Sequence, residues 1–593
     1  MRPQASQPVP PAAQARALIG AGKLAQARAL LTRLLQRSPM DAELNDVMRG
    51  LCLAEGRMEQ ALFHAERAHR AAPENPGAMA DYAALLAGVS HGSRIDEALP
   101  LIERALTLDP TNRQAHFALV AAHFTKARIA DALAAARRAL EVLPGDHDLT
   151  LKLVPGLMNL GLAHEAAPIA AGLLASNPDA LHLAETLCTV LNYDHTASPT
   201  RVFDAHRNYG RLMTERVGTH TPPSLRPRGE AARLRLGIIS PDLRLHSVGF
   251  FAEPILRHLD RARCDVFVYY TYPAADAVTA RLRSYPSTWR DAARLPPDAL
   301  AAMIRADRLD VLVELTGLTT GHSLLALALR PAPVQVTYLG YPATTGLPAI
   351  DARFVDSRTD PAPSADAFAT ERLVRLDPCF LCYSAPANAP DVAALPAARD
   401  GPFTFGSFNA LTKINAGVLA AWARVLLAVP GSRLVVKARE LNSPDCHAHL
   451  MSRLAHAGIE PSRVTVLPPP EGVAEHLDCY RLVDVALDTF PYCGTTTTCE
   501  ALWMGVPVVT LAGDRHAARV GASLLSAVGL DDWITTDVDA YVARAARAAA
   551  DVDALSRLRP GLRQRVAASP LCDGPGFAAR FLAAIESLVP AQA

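Results

Sequence analysis

The chain has 593 residues, 50% hydrophobic and 20% charged, with 59 basic and 59 acidic side chains and a formal net charge of +0. That length allows about four domains at roughly 150 residues each, and the apolar content excludes a disordered tail. The charge balance gives no basic footprint for nucleic acid and no acidic one for cationic partners. "MRPQASQPVPPAAQAR" lacks the apolar core of a signal peptide, and no later run approaches about 18 uninterrupted apolar residues. A soluble cytoplasmic protein is expected, with neither a membrane nor nucleic acid as partner. Ten cysteines are scattered along the chain, and Cys379 and Cys382 form a CxxC with no second pair to complete a zinc site. They read as ordinary buried or loop cysteines.

The N-terminal third repeats. "GKLAQA", "GRMEQA", "GSRIDEA", "ARIADA" and "GLAHEA" end on Ala27, Ala61, Ala98, Ala132 and Ala166, steps of 34, 37, 34 and 34. Pro39, Pro73, Pro110, Pro144 and Pro178 take the same steps. Two markers in phase indicate tetratricopeptide repeats, two helices per unit, stacked into an α-helical solenoid over residues 10–195, whose groove is expected to bind proteins or peptides, a spacer or oligomerisation arm being the alternative. The small residues allow close helix approach, and each proline stops a helix.

After "GTHTPPSLRPRGEAARLR" the pattern changes to short apolar strands separated by helical stretches. Strands are expected at 234–240, 265–271, 310–317, 333–340 and 352–357. After a Pro- and Ala-rich linker at 384–402, more follow at 403–409, 432–438, 463–468, 483–489 and 507–513. Buried parallel strands alternating with helices predict two doubly wound α/β domains, at 230–383 and 403–590. Ligands of such sheets bind at the carboxyl ends of the strands, so two facing sheets share a cleft.

Several strand-end segments carry chemistry. "PYCGTTTTCEALWMG" places Thr495, Thr496 and Thr497 between Gly494 and a helix, where unsatisfied N–H groups and hydroxyls suit a pyrophosphate. Glu500 follows, placed to interact with the helix dipole or to accept from ribose hydroxyls. Lys413 is expected at a helix start, which the dipole disfavours unless an anion is near. His476 and His246 follow other strands, and "YLGYPATTG" offers glycines and threonines for close approach by a ligand. The Asp-x-Asp sequences read as caps or repeat loops, so no metal is expected.

Together "SPDLRLHS", "LALRPAPVQVTYLGYPATTG", "FGSFNALTKI" and "LDTFPYCGTTTTCEALWMGVPVVTLAGDRHAARVGAS", behind the repeats, resemble the O-linked N-acetylglucosamine transferase family, Spindly-type enzymes included. The resemblance covers about residues 15 to 590. It implies an inverting glycosyltransferase of the GT-B fold, two facing Rossmann-like domains, that uses a nucleotide sugar without a metal or other cofactor. By the same resemblance His246 is the active-site histidine, Leu339 and Gly340 lie beside the sugar, and Lys413 contacts the diphosphate. His476 lies near uracil and diphosphate, Thr496 and Thr497 surround the phosphates, and Glu500 replaces an aspartate that binds ribose. Three positions depart from the animal enzymes: Ala410 replaces a glutamine, Thr495 a histidine and Val473 a lysine.

The expected reaction transfers N-acetylglucosamine from UDP-GlcNAc to Ser or Thr hydroxyls of proteins held along the repeat groove. Lys413 and the threonine turn would stabilise the leaving diphosphate, with His246 the candidate base. Transfer of fucose from GDP-fucose, or of another nucleotide-linked sugar, stays open, as does an inactive repeat scaffold.

Overall fold

A computed structural model describes residues 10–90, 92–227, 233–399, 401–468 and 470–590. Residues 228–232 and 400, parts of the two expected connecting segments, lie outside the described residues. The chain divides into two compact units, one comprising the residues up to Leu157 with Ser443–Cys446, the other the residues from Met158 to Asn442 and from His447 onward.

The first unit is helical. Its repeat markers have a structural meaning: Ala27, Ala61, Ala98 and Ala132 each occupy the fourth position of a helix, Leu24–Arg37, Met58–Ala71, Ile95–Leu108 and Ile129–Val142. All four are fully buried. Each marker proline comes two residues after its helix, as Pro39 after Arg37 and Pro73 after Ala71. The partner helices Ala42–Ala54, Pro76–Val89 and Arg113–Thr125 start on Asp41, Asn75 and Asn112, whose side chains accept from Leu44, Ala78 and Ala115 N–H. The unit boundary falls inside helix His147–Asn159. The repeat signal nevertheless continues into the second unit, where Ala166 is buried in helix Ala163–Ser176.

In the second unit, helices Ala163–Ser176, Leu181–Tyr193 and Pro199–Val217 precede two parallel sheets. The first contains β1 (Leu234–Ser240), β2 (Cys264–Tyr270), β3 (Thr288–Asp291), β4 (Val311–Glu314), β5 (Val334–Thr337), β6 (Ala352–Val355) and β7 (Arg372–Arg375). Their order is β3-β2-β1-β4-β5-β6-β7. The second contains β8 (Thr404–Ser407), β9 (Arg433–Lys437), β10 (Val464–Leu467), β11 (Val485–Leu487), β12 (Val508–Leu511) and β13 (Ile534–Thr535), in the order β10-β9-β8-β11-β12-β13. Strand order reverses between β1 and β4 and again between β8 and β11, which makes the loops after these strands the natural ligand-facing ones.

Three strands escape a reading based on apolar runs. β3 ("TWRD") and β7 ("RLVR") are edge strands with exposed arginine or threonine positions, and β13 is two residues long. An edge strand needs no continuous apolar run because one side faces solvent. The last helix, Gly574–Leu588, also departs from the expected partition, since Phe581 packs on Phe354 of β6 at 5.4 Å and on Tyr338 at 5.8 Å. The chain end thus returns to cover the first sheet. Among the described residues, no helix is long and apolar enough to cross a membrane.

Candidate active site

The loops after β8 and β11 meet. After β8 the chain passes through Asn409 and Ala410 into a single 3-10 turn, Leu411–Lys413, and Asn415 then caps helix Ala416–Ala428. Lys413 therefore stands at the end of a short turn, before the cap, and not in the first turn of the long helix as the sequence reading has it. Its position is explained by a cross-loop contact: Nζ donates to Cys493 O at 2.8 Å and lies 4.2 Å from the Tyr492 ring centre. Burial lowers the Lys413 pKa from 10.5 to about 8, partly opposed by the charge of Asp488. A second anionic partner would relieve that desolvation.

Asp488, directly after β11, shapes the threonine loop. Its carboxylate accepts from Gly494 N–H at 2.7 Å, Thr489 N–H at 2.9 Å and Thr510 Oγ1 at 2.7 Å. Gly494 must be glycine, because a Cβ there would lie 2.5 Å from Thr497 Oγ1 and 2.8 Å from Thr498 Oγ1. Helix Thr496–Trp503 follows, with Thr495 as a cap residue that makes no side-chain capping bond. The first N–H bonded inside the helix is that of Cys499, to Thr495 O at 3.1 Å, so the N–H groups of Thr496, Thr497 and Thr498 have no helical acceptor.

The four threonines differ. Thr497 Oγ1 donates to Asn409 Oδ1 at 3.1 Å, and Thr498 Oγ1 donates to Gly494 O at 3.1 Å. The hydroxyls of Thr495 and Thr496 make no hydrogen bond among the described residues. Ligand-directed donors at this turn are therefore Thr495, Thr496 and the free N–H groups, whereas the Thr497 side chain closes the loop.

One turn further, Glu500 meets His476. His476 Nε2 lies 2.9 Å from Glu500 Oε2, and Nδ1 lies 3.0 Å from Lys437 Nζ, which also donates to His476 O at 2.9 Å. An ammonium can only donate, so Nδ1 is the acceptor and the ring proton sits on Nε2, facing the carboxylate. Both ring nitrogens are engaged. Glu500 Oε1 accepts no hydrogen bond among the described residues and is the oxygen available to a ribose hydroxyl. Lys437 was not singled out in the sequence, although a lysine closing the apolar strand "RLVVK" is the anomaly that marks it.

The first sheet contributes two strand-end features. His246 caps helix Ser247–His258, its Nδ1 accepting weakly from Val248 N–H at 3.3 Å and lying 3.7 Å from Asp242 Oδ1. Burial pushes its pKa below the ordinary 6.5, with the Asp242 charge opposing, so the ring is neutral near pH 7. After β5, Gly340 N–H donates to Tyr338 O at 2.9 Å around Leu339, whose φ is 76°. That is a γ-turn of the strained kind, and it brings Gly340 so close to the β4 loop that a Cβ there would lie 2.0 Å from Leu315 O. Neither His246 nor the Leu339–Gly340 turn bonds directly to the second-sheet cluster.

Tyr341, the two threonines and Gly346 of "YLGYPATTG" are engaged by protein. Thr344 and Thr345 hydroxyls and Thr345 N–H all donate to the Glu371 carboxylate. A Cβ on Gly346 would lie 1.8 Å from His206 O, so this glycine accommodates helix Pro199–Val217 and not a ligand. Tyr341 OH is held by Asn192 Nδ2 at 2.7 Å and His206 Nε2 at 2.8 Å. Cys379 and Cys382 are buried free thiols, and among the described residues no group of three or more His, Cys, Asp or Glu side chains is arranged to hold a metal.

The sequence profile of glycosyl transferase family 41 matches residues 203–383 and 395–581. The chain belongs to that family. It is 43% identical over 406 residues to the Arabidopsis thaliana protein named probable UDP-N-acetylglucosamine–peptide N-acetylglucosaminyltransferase SPINDLY, covering 68% of this chain and 44% of that protein. To the A. thaliana relative SEC, which carries the same activity name, it is 30% identical over 394 residues, covering 63% of this chain and 39% of the relative. The chain thus spans less than half the length of these curated relatives. A solved Thermobaculum terrenum O-GlcNAc transferase mutant superposes with a TM-score of 0.76 at 33% identity, covering 86% of this chain and 99% of that one.

In this family 41 chain, the proposed site residues divide by sheet. Lys413, His476, Thr495, Thr496, Thr497 and Glu500 lie around the switch point of the second sheet. His246 follows β1 at the switch point of the first, with Leu339 and Gly340 two strands away. Asn409 and Lys437 support them from segments far apart in sequence, and Asp488 and Asp242 from within the same loops.

Proposed function

We propose that the protein is an inverting glycosyltransferase that moves N-acetylglucosamine from UDP-GlcNAc to Ser or Thr hydroxyls of proteins, without a metal. The observation that carries this reading is the open helix start at Thr495–Thr496 beside the half-buried Lys413 ammonium. As the bond from the anomeric carbon to the diphosphate breaks, negative charge grows on the departing oxygen. The Lys413 cation and the unpaired N–H groups are already in place to receive it, so little reorganisation is needed. Glu500 Oε1 would take a ribose hydroxyl, with its other oxygen held by His476.

The acceptor hydroxyl attacks the face opposite the leaving group, and its proton needs a base. For His246 to serve, its Nδ1 must carry the proton and point it to Asp242, leaving the Nε2 lone pair free; this requires the ring to turn away from Val248 N–H and close the 3.7 Å separation. Protein acceptors would be held along the repeat groove.

A second reading, fucose transfer from GDP-fucose, is favoured by Ala410, an exposed residue at the start of the 3-10 turn. Its methyl group leaves room beside the nucleotide for a purine. A panel of radiolabelled nucleotide sugars incubated with an acceptor protein decides between the readings: label transfer from UDP-GlcNAc supports the first, and transfer only from GDP-fucose replaces it with the second. Absence of transfer together with absence of nucleotide binding leaves an inactive scaffold.

A further inference from the structure

A separate cavity of about 200 Å³ lies among the loops after β5, β6 and β12 and helix Pro199–Val217. None of the proposed nucleotide-sugar residues lines it. Its polar wall is unusual. Arg353, on β6, is 5% exposed, and its guanidinium makes no hydrogen bond among the described residues; Nη2 is fully buried. Arg515 gives Nε to Asp514 at 3.1 Å and Nη2 to Ala197 O, yet its Nη1 is buried and unpartnered. Asn192 uses Nδ2 on Tyr341 OH, and its buried Oδ1 accepts nothing.

A buried guanidinium without a hydrogen-bond acceptor is costly, and it is ordinarily matched by a carboxylate or phosphate that accepts from it directly. The aspartates supply only part of the match: the Arg353 charge helps hold the Asp360 carboxyl low, but no aspartate accepts a hydrogen bond from Arg353. Asp360 is bound by His516 Nδ1 at 2.5 Å, and Asp514 by Arg515 Nε. Arg519 is satisfied by Arg358 O and Gly513 O at 2.7 and 3.0 Å. Arg353, Arg515 and Arg519 against Asp360 and Asp514 leave one positive charge before any proton on His516, which suits a monoanion. The opposite wall is apolar, with Val202, Phe203 and Phe368, the two rings edge to face at 6.2 Å.

We propose that this cavity binds a small monocarboxylate with an apolar body and a hydroxyl group. The carboxylate pairs with Arg353 and Arg515 Nη1, the body lies on Phe203 and Phe368, and the hydroxyl donates to Asn192 Oδ1. Because Pro342, Ala343 and Thr344 line the cavity two to four residues after Gly340, an occupant would brace the strained turn from behind.

The test is titration calorimetry on the full chain with 4-hydroxyphenylacetate as the probe, with inorganic phosphate and tyramine as controls and with UDP or GDP present or absent. The expected result is saturable one-to-one binding of 4-hydroxyphenylacetate, unchanged by either nucleotide and weakened at least tenfold in Arg353→Gln. Ser364→Trp, at the exposed rim, should weaken it equally and decides the matter if Arg353→Gln fails to fold. No saturable binding overturns the proposal. So do undiminished binding in Ser364→Trp, equal binding of phosphate or tyramine, and displacement by nucleotide. None of these outcomes depends on which sugar donor is used.

Discussion

The two sheets treat their strand-end loops in opposite ways. In the first, the polar groups of the loops after β4 and β5 satisfy one another: Glu371 takes the Thr344 and Thr345 hydroxyls, buried Glu314 takes Thr316 and Gly317 N–H at 2.9 and 2.8 Å, and Tyr341 is held by two helices. In the second, the loops leave donors open: the hydroxyls of Thr495 and Thr496, the helix-start N–H groups and a lysine whose charged form is disfavoured by burial. A self-satisfied loop holds a shape, and an under-satisfied one holds a ligand. The loops after β4 and β5 thus form a rigid wall, and those after β8 and β11 are the proposed receptor.

The sharpest way to break this contrast is Lys413→Met. Turnover should fall by about 10²–10³-fold, the size expected when one preorganised charge stabiliser is removed, while the thermal midpoint holds or rises. Turnover within threefold of the original would remove the leaving-group role. The same lysine sets a pH dependence. Its pKa of about 8 means that the cation is present below that pH and lost above it. Affinity for a nucleoside diphosphate should therefore fall by up to about tenfold per pH unit above 8, measured by calorimetry, and the slope should vanish in Lys413→Met. The fold behaves oppositely. Because burial depresses this pKa, the penalty on the folded state is full below about 8 and is relieved as pH rises toward 10.5, so Lys413→Met should stabilise more at pH 7 than at pH 10.

On the rigid side, Gly340→Ala should cost about 1–3 kcal/mol in urea unfolding, since its Cβ would meet Leu315 O. An unchanged midpoint would show that the wall yields. The smallest effect compares neighbours. Thr496→Val should weaken nucleotide binding by about tenfold, the worth of one hydrogen bond to a charged group. Thr497→Val should change it less than threefold, because that hydroxyl already bonds Asn409. Equal losses would erase the distinction between the two threonines.

Much of this was legible in the sequence. The period of the alanines and prolines located helix positions to the residue, because only a small side chain fits where repeat helices touch and no helix continues through those prolines. The central strands were legible because burial on both faces demands continuous apolar runs; β3, β7 and β13 were not, since edges carry no such demand. Lys413, His476 and Glu500 could be singled out by strand-end position, but the His476–Glu500 and Lys437–His476 contacts join segments 24 and 39 residues apart. "PATTG" misled for a related reason. Glycines and threonines allow close approach, but composition does not say whether a ligand or a helix approaches.

The sequence by itself determined the repeat array, the two α/β halves and the diphosphate-suited turn, because periodicity, strand burial and helix-start chemistry are local properties of neighbouring residues. Only the tertiary structure decided which hydroxyls stay free, which oxygen of Glu500 is available, and that Arg353 is buried without a hydrogen-bond acceptor. Those outcomes depend on what distant segments place beside each polar group, and a buried donor is open or closed according to that neighbour alone.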